Sequence, residues 1–101
     1  MAPERTFTVD EARALLPQVR AVLLQLAVER RRADASHDGI HALLEHLESL
    51  GVVVRDLETG LVDFPTTLGG GPAWLCWRLD DPELAWWHTT REGYASRRPL
   101  P

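Results

Sequence analysis

Three residues in the C-terminal half of the chain carry side chains that bind metals or move protons. Asp63 lies within the apolar segment 61–64, Glu83 lies in a turn, and His88 ends the segment 84–88. Imidazole and carboxylate groups are ligands of zinc, iron and manganese, and they also serve as general acids and bases. The sequence therefore predicts a metal site formed by His88, Asp63 and Glu83, with zinc, iron or manganese as the ion.

The same residues also have structural interpretations. An aspartate within a strand is commonly neutralised by an ion pair, and Arg78, Arg97 or Arg98 could be the partner of Asp63. A histidine at the end of a strand can hydrogen-bond a backbone carbonyl. A glutamate in a turn is ordinarily a solvated surface residue.

The single cysteine, Cys76, allows a further alternative. With His88 as the base and Asp63 as the orienting carboxylate, it could act as a nucleophile. However, Cys76 is predicted to lie in the middle of a strand, whereas reactive cysteines favour helix N-termini and exposed turns. This position is more typical of a small packed residue.

The four tryptophans of the chain all lie between positions 74 and 87. Part of this aromatic surface must fill the core, but two strands with tryptophan on both faces have more of it than one layer of helices covers. Exposed aromatic surface is typical of interfaces between proteins. The sequence therefore predicts a binding domain that forms a homo-oligomer, such as a homodimer, or binds a protein partner through Trp74 and Trp87.

The charge balance bears on other partners. The chain has 11 basic and 15 acidic residues, a net charge of −4, and every basic residue is arginine. This balance argues against a nucleic-acid partner, because phosphate binding depends on concentrated positive charge. Arg97 and Arg98 are predicted to bind an anion, although they could instead pair with acidic groups of the protein. The absence of lysine and asparagine, whose codons are AT-rich, predicts a GC-rich bacterial genome.

Apolar periodicity predicts two helices followed by strands. Thr8 and Glu11 form a capping-box pattern before a long helical stripe, and a second stripe ends at Gly51, a common C-terminal signal. Pro65 and the glycines at 69–71 predict the end of a strand and a flexible loop. The predicted fold is α+β: an antiparallel helical hairpin (7–51) packed on a four-stranded antiparallel β-meander (52–54, 61–64, 74–79 and 84–88), with an irregular tail (89–101), all in one domain, 1–101.

The pairing of the last two predicted strands decides which side chains share a face. A four-residue loop at 80–83 would place Leu75 opposite His88 and leave Trp74 and Trp87 together on the other face. A slip of one residue would exchange the two faces of one strand.

The composition indicates a globular protein in a reducing compartment. Of its 101 residues, 45% are apolar and 26% charged, which is enough for a core without disulfides. One cysteine cannot form an intramolecular disulfide. The N-terminus lacks the apolar core of a signal peptide, and no apolar run is long enough to span a membrane. The chain is therefore predicted to be cytoplasmic, with no membrane partner.

Five motifs occur in order along the chain. They are FTVDEARALLPQV from Phe7, GLVDFP from Gly60, LCWRL from Leu75, PELAWWH from Pro82 and GYASRRPL from Gly93. This combination resembles the bacterial family catalogued as domain of unknown function 2203. The resemblance implies a small prokaryotic domain and carries no assigned activity. The sequence thus leaves two hypotheses, a self-associating binding domain and a metal-binding protein that could be an enzyme.

Overall fold

The computed structural model describes residues 5–32 and 37–101. Two helices, α1 (Val9–Arg31) and α2 (His37–Ser49), precede a sheet of five antiparallel strands. The strands follow one another in space as they do in sequence: β1 (Val53–Asp56), β2 (Leu61–Leu68), β3 (Gly71–Trp77), β4 (Trp86–Thr89) and β5 (Arg98–Pro99). A short 3₁₀ helix, Tyr94–Ser96, lies between β4 and β5. The predicted α+β class is therefore confirmed.

The start of α1 follows the predicted capping box. The Thr8 hydroxyl accepts a hydrogen bond from the Glu11 backbone N–H at 3.1 Å, and the Glu11 carboxylate accepts one from the Thr8 N–H at 2.8 Å. These bonds satisfy two backbone donors that the first turn of a helix otherwise leaves unpaired. The buried face of α1 belongs to the hydrophobic core and consists of Ala12, Leu16, Val19, Val22, Leu23 and Leu26.

The predicted number of strands is wrong, because part of the tail joins the sheet. Arg98 pairs with Trp87 and Pro99 with Trp86, and the N–H of Leu100 donates to the carbonyl of Ala85 at 2.8 Å. A strand of two residues has no alternation to detect, and a proline within it is typical of a sheet edge. Residues 98–99 of the predicted irregular tail thus form an edge strand.

The β2–β3 connection is also tighter than predicted. β2 continues past Pro65, and Gly69 and Gly70 form a two-residue turn with φ of 64° and 81°, the left-handed backbone that such hairpins need. Pro65 is tolerated because β1 pairs only as far as Asp63, so its missing N–H faces no neighbouring strand. Its carbonyl instead accepts a hydrogen bond from the N–H of Phe7 at 2.7 Å.

The predicted pairing of β3 with β4 is wrong by one residue. His88 lies opposite Trp74, and Trp87 lies opposite Leu75. The connection spans eight residues, 78–85, instead of four, because Asp81 accepts a hydrogen bond from the N–H of Arg78 at 2.9 Å and ends β3 early. The slip exchanges the faces of β4, so His88 lies on the face away from the helices and Trp87 on the face toward them.

The core lies between the helices and one face of the sheet. Phe64, Leu75 and Trp77 are fully buried there against α1, and Trp87 packs beside them. Phe7 closes one end of this core with its ring edge-on to Phe64, at 5.4 Å between ring centroids. Within the described ranges, no helix is long and apolar enough to cross a membrane. With the helices on one face, the other face is left to the polar side chains of the same strands.

Candidate functional site

Asp63, Cys76 and His88 meet on the sheet face that the helices do not cover. They come from β2, β3 and β4: Asp63 lies opposite Cys76, and His88 lies opposite Trp74, two positions along β3. One ligand atom from each residue lies within 4.8 Å of the other two. Their exposed fractions are 2%, 0% and 3%. Three adjacent strands therefore hold a carboxylate, a thiol and an imidazole in one buried group.

The hydrogen bonds of His88 place acceptors at both ring nitrogens. Nδ1 lies 2.9 Å from the carbonyl oxygen of Thr89, and Nε2 lies 3.1 Å from both carboxylate oxygens of Asp63. A carbonyl can only accept, so Nδ1 carries a proton and Nε2 faces two acceptor oxygens. Either a proton or a metal ion must lie between Nε2 and the carboxylate, because their lone pairs otherwise repel.

Arg55 is the arginine that pairs with Asp63. Its Nε donates to Asp63 Oδ2 at 2.9 Å, and its guanidinium lies 4.7 Å from the ring centroid of Trp74. The register shift between Val54 and Asp56 marks an irregularity of β1 at this residue. The predicted partners Arg78, Arg97 and Arg98 were therefore wrong. The missed signal was the hairpin spacing, since Arg55 and Asp63 flank the same turn.

Burial in the sheet raises the pKa of the Cys76 thiol to about 12, and the negative charge of Asp63 acts in the same direction. The positive charge and hydrogen bond of Arg97 offset only part of this effect. Cys76 is consequently a protonated thiol at neutral pH in the absence of a metal, which argues against its being a free nucleophile. A metal ion bound to Cys76 would favour its thiolate form.

A cavity of about 320 Å³ adjoins the group. Asp63, Cys76 and His88 form one part of its wall, and Arg55 and Trp74 form another. The wall is completed by Leu61 and by residues that follow β4: Thr90, Glu92, Gly93 and Tyr94. The cavity gives the otherwise buried group an approach from solvent.

The structure separates the other predicted site residues. Glu83 is exposed in the β3–β4 connection and is not part of the group around His88. Trp74 borders the cavity, whereas Trp87 packs on the helix side of the sheet, so the two predicted anchors lie on opposite faces. Arg98 pairs with Glu92 at 3.2 Å. The remaining predicted residue, Arg97, forms the bond that fixes the tail.

Arg97 and Asp81 join the tail to the β3–β4 connection. The two terminal nitrogens of Arg97 donate to the two oxygens of Asp81 at 2.7 and 3.2 Å, and both side chains are largely buried. Burial alone would raise the pKa of Asp81. The hydrogen bonds from Arg97 and the Arg78 backbone, with the charges of both arginines, outweigh burial and lower this pKa below the ordinary value of an aspartate.

This lowered pKa predicts a loss of stability in acid. A carboxyl whose pKa is lower in the folded state stabilises the fold above its unfolded pKa, and this contribution disappears as pH falls through the folded pKa. We expect Asp81→Asn to lower the free energy of unfolding at pH 7 by about 2 kcal/mol. Urea unfolding measured at stepwise lower pH checks this. The difference in free energy of unfolding between Asp81→Asn and the wild type should shrink once the pH falls below the pKa of Asp81 in the unfolded chain. The exposed Asp80→Asn is the control, and a gap that stayed constant in acid would contradict this account.

The protein is thus of the α+β class. Its helices cover one face of a five-stranded meander, and a buried Asp–Cys–His group lies on the other face. The chain belongs to DUF2203, described as an uncharacterized conserved protein family, which matches residues 26–100. The resemblance seen in the motifs is confirmed, although the segment FTVDEARALLPQV lies before the matched range. Each of GLVDFP, LCWRL and PELAWWH contributes one member of the buried group. No curated protein and no solved structure matches the chain.

Proposed function

We propose that this protein binds one divalent transition-metal ion through Asp63, Cys76 and His88. The observation that carries the proposal is the position of His88 Nε2, 3.1 Å from both carboxylate oxygens of Asp63 and in the same buried group as the thiol of Cys76. A cation placed between these atoms would remove their repulsion. Cys76 takes the place of the predicted ligand Glu83.

The surroundings of the group support a metal ion. A metal-bound histidine usually donates its other ring N–H to a carbonyl or carboxylate, as His88 does to Thr89. Arg55 holds the carboxylate of Asp63 in the same outer-shell manner. Nε2 and the carboxylate oxygens are 3.1 Å apart, a separation that two ligands of one ion with bonds of about 2.1 Å adopt at roughly a right angle.

The set of donors favours zinc. Nitrogen, oxygen and sulfur are all ordinary zinc ligands, and iron also accepts them, whereas manganese prefers oxygen. Binding would displace the thiol proton of Cys76. A metal held by three protein ligands next to a cavity keeps a coordination position for water or a small molecule. We therefore infer a metalloprotein whose ion faces a ligand cavity.

Metal content tests the proposal. We expect wild-type protein purified without a histidine tag, stripped with chelator and reloaded with zinc, to retain near-stoichiometric metal after dialysis. His88→Gln and Cys76→Ser should retain little. His41→Gln, which removes an exposed histidine of α2 instead, should retain as much as the wild type. Circular dichroism would verify that each variant is folded.

Two outcomes would refute the metal site. One is wild-type protein that retains no metal, and the other is a folded His88→Gln variant that retains as much as the wild type. In either case a proton would lie between His88 and Asp63, and the group would be a structural ion pair.

A second candidate function is self-association, now through α1. Two large apolar residues of this helix are exposed, Leu24 by 50% and Val28 by 57%. They continue an exposed stripe that includes Ala14, Pro17 and Ala21 at spacings of three and four residues. This is the spacing of a helix face that packs against another helix.

Charge at the ends of α1 supports a second copy as the partner. The first turn carries Asp10 and Glu11, and the last turn carries Arg30 and Arg31. Two copies of α1 packed antiparallel would place each acidic end beside the basic end of the other, in a self-complementary contact.

Sedimentation equilibrium tests self-association. We expect the wild type to dimerise with rising concentration and Leu24→Gln/Val28→Gln to remain monomeric. Trp74→Phe should dimerise as the wild type does. A wild type that is monomeric at millimolar concentration would refute this candidate, and a dimer lost only in the Trp74 variant would move the interface to the sheet.

A further inference from the structure

Arg55 is held in place by two contacts that leave the end of its side chain available. Its Nε is bound to Asp63, and its guanidinium lies over Trp74. Neither terminal nitrogen of Arg55 has a hydrogen-bond partner among residues 5–32 and 37–101. The side chain is 42% exposed and lines the cavity of about 320 Å³. Its conformation is therefore fixed before any ligand arrives.

Two other arginines near this face, Arg97 and Arg98, are already paired. Arg97 uses both terminal nitrogens on Asp81, and Arg98 donates to both oxygens of Glu92. Since Glu92 also lines the cavity, its pairing with Arg98 removes a negative charge that would repel an anion. Arg55 is the arginine that lines the cavity, and its terminal donors can receive an anion there.

A second cavity extends from the same tryptophan. It has a volume of about 360 Å³, and Trp74 and Thr90 line both cavities. Its wall also contains Pro65, Pro72 and Ala73, so it offers mainly apolar surface. A ligand that reached both cavities would meet a cation at one end and apolar walls at the other.

We propose that the cavity beside Arg55 binds a small molecule with one carboxylate or phosphate group and an apolar part that packs against Trp74. The terminal nitrogens of an arginine form paired hydrogen bonds with two oxygens of such a group. The aromatic ring beneath the guanidinium gives the apolar part a surface to contact. The proposal does not depend on the metal, which would only add a second positive charge beside the anion.

Benzoate and benzamide are suitable probes, because they share a shape and differ in charge. Binding would be followed by NMR through the indole N–H signals, with that of Trp74 assigned from Trp74→Phe. We expect benzoate, in the presence of chelator, to shift the Trp74 signal in a saturable way. Benzamide should bind at least about tenfold more weakly, because it lacks the negative charge that the Arg55 guanidinium would bind. Inorganic phosphate in parallel titrations would show whether a phosphate can replace the carboxylate.

Variants assign the binding to Arg55. Arg55→Gln should weaken benzoate binding about tenfold or more, and Arg55→Lys should weaken it less, because it keeps the charge and loses the paired donors. Arg31→Gln removes the same charge from α1 and should change nothing. If Arg55→Gln fails to fold, the comparison of benzoate with benzamide on the wild type decides alone.

Three results would overturn the anion site. They are the absence of a saturable shift with both benzoate and phosphate, equal binding of benzoate and benzamide, and unchanged benzoate binding in folded Arg55→Gln. Repeating the titration with zinc separates this proposal from the metal site. Benzoate binding in chelator, together with wild-type protein that retains no zinc after reloading and dialysis, would support the anion site and refute the metal site.

Discussion

Replacing Asp63 with alanine is expected to lower the free energy of unfolding by about 3 kcal/mol, because the substitution removes a buried carboxylate that accepts hydrogen bonds and leaves the buried His88 ring without that partner. The carboxylate is 2% exposed and receives the Arg55 guanidinium and the His88 ring. Without it, His88 Nε2 loses its only described partner inside the sheet, and Arg55 loses the contact that positions it. Urea unfolding in the presence of chelator measures the loss without a contribution from metal.

A double-mutant cycle distinguishes this explanation from simple loss of packing. Asp63→Ala and Arg55→Ala together should cost less than the sum of the single changes, because the second change removes the unpaired charge left by the first. Asp10→Asn, which alters an exposed carboxylate in the first turn of α1, should cost less than about 1 kcal/mol. Additive effects of Asp63→Ala and Arg55→Ala would mean that the ion pair contributes nothing specific.

Gly60→Ala is expected to cost about 2–4 kcal/mol, the sum of a strained backbone and a steric clash. Gly60 lies in the β1–β2 turn at φ of 67°, where a side chain is disfavoured. An added Cβ would lie 2.7 Å from Cβ of Leu79, closer than two carbon atoms can approach. The β1–β2 turn therefore packs directly on the β3–β4 connection, and thermal or urea unfolding should detect the substitution readily.

Gly69→Ala is the matched control for the clash. Its φ of 64° is nearly the same, but an added Cβ there would meet nothing within 4 Å. It should carry the backbone cost alone, about 1 kcal/mol. Equal effects at both positions would show that Leu79 moves aside and that close packing at Gly60 has no energetic consequence.

The local parts of this fold were predictable from sequence because their causes lie within a few residues. Thr8 and Glu11 bond each other three residues apart, and the apolar face of α1 repeats at helical spacing. The strand containing Asp63 and the turn around Gly60 were visible for the same reason. The sequence predicts both residues as candidate ligands: Asp63 because an aspartate among apolar strand residues is unusual, and His88 because imidazole binds metals and moves protons.

The features that sequence did not reveal depend on contacts between distant segments. The register of β3 and β4 is set by Asp81, which folds back on the Arg78 N–H and binds Arg97 from the tail. Because the observed register differs from the predicted one by a single residue, His88 lies on the same face as Asp63, and Trp87 lies on the core face. The ion pair of Arg55 with Asp63 was not predicted, because only the pairing of β1 with β2 brings Arg55 to the buried carboxylate.

The shortness of β5 has a consequence for hydrogen exchange. The strand is two residues long and lies at the edge of the sheet, where its backbone pairs with β4 and the Leu100 amide donates to Ala85. Elements with so few contacts open far more often than the whole protein unfolds, so the Leu100 amide should exchange with solvent long before those of β2 and β3. The tail that ends in β5 also supplies Glu92 and Tyr94 to the cavity wall. If a ligand in the cavity stabilises this tail, the Leu100 amide should exchange more slowly in the liganded protein than in the free protein.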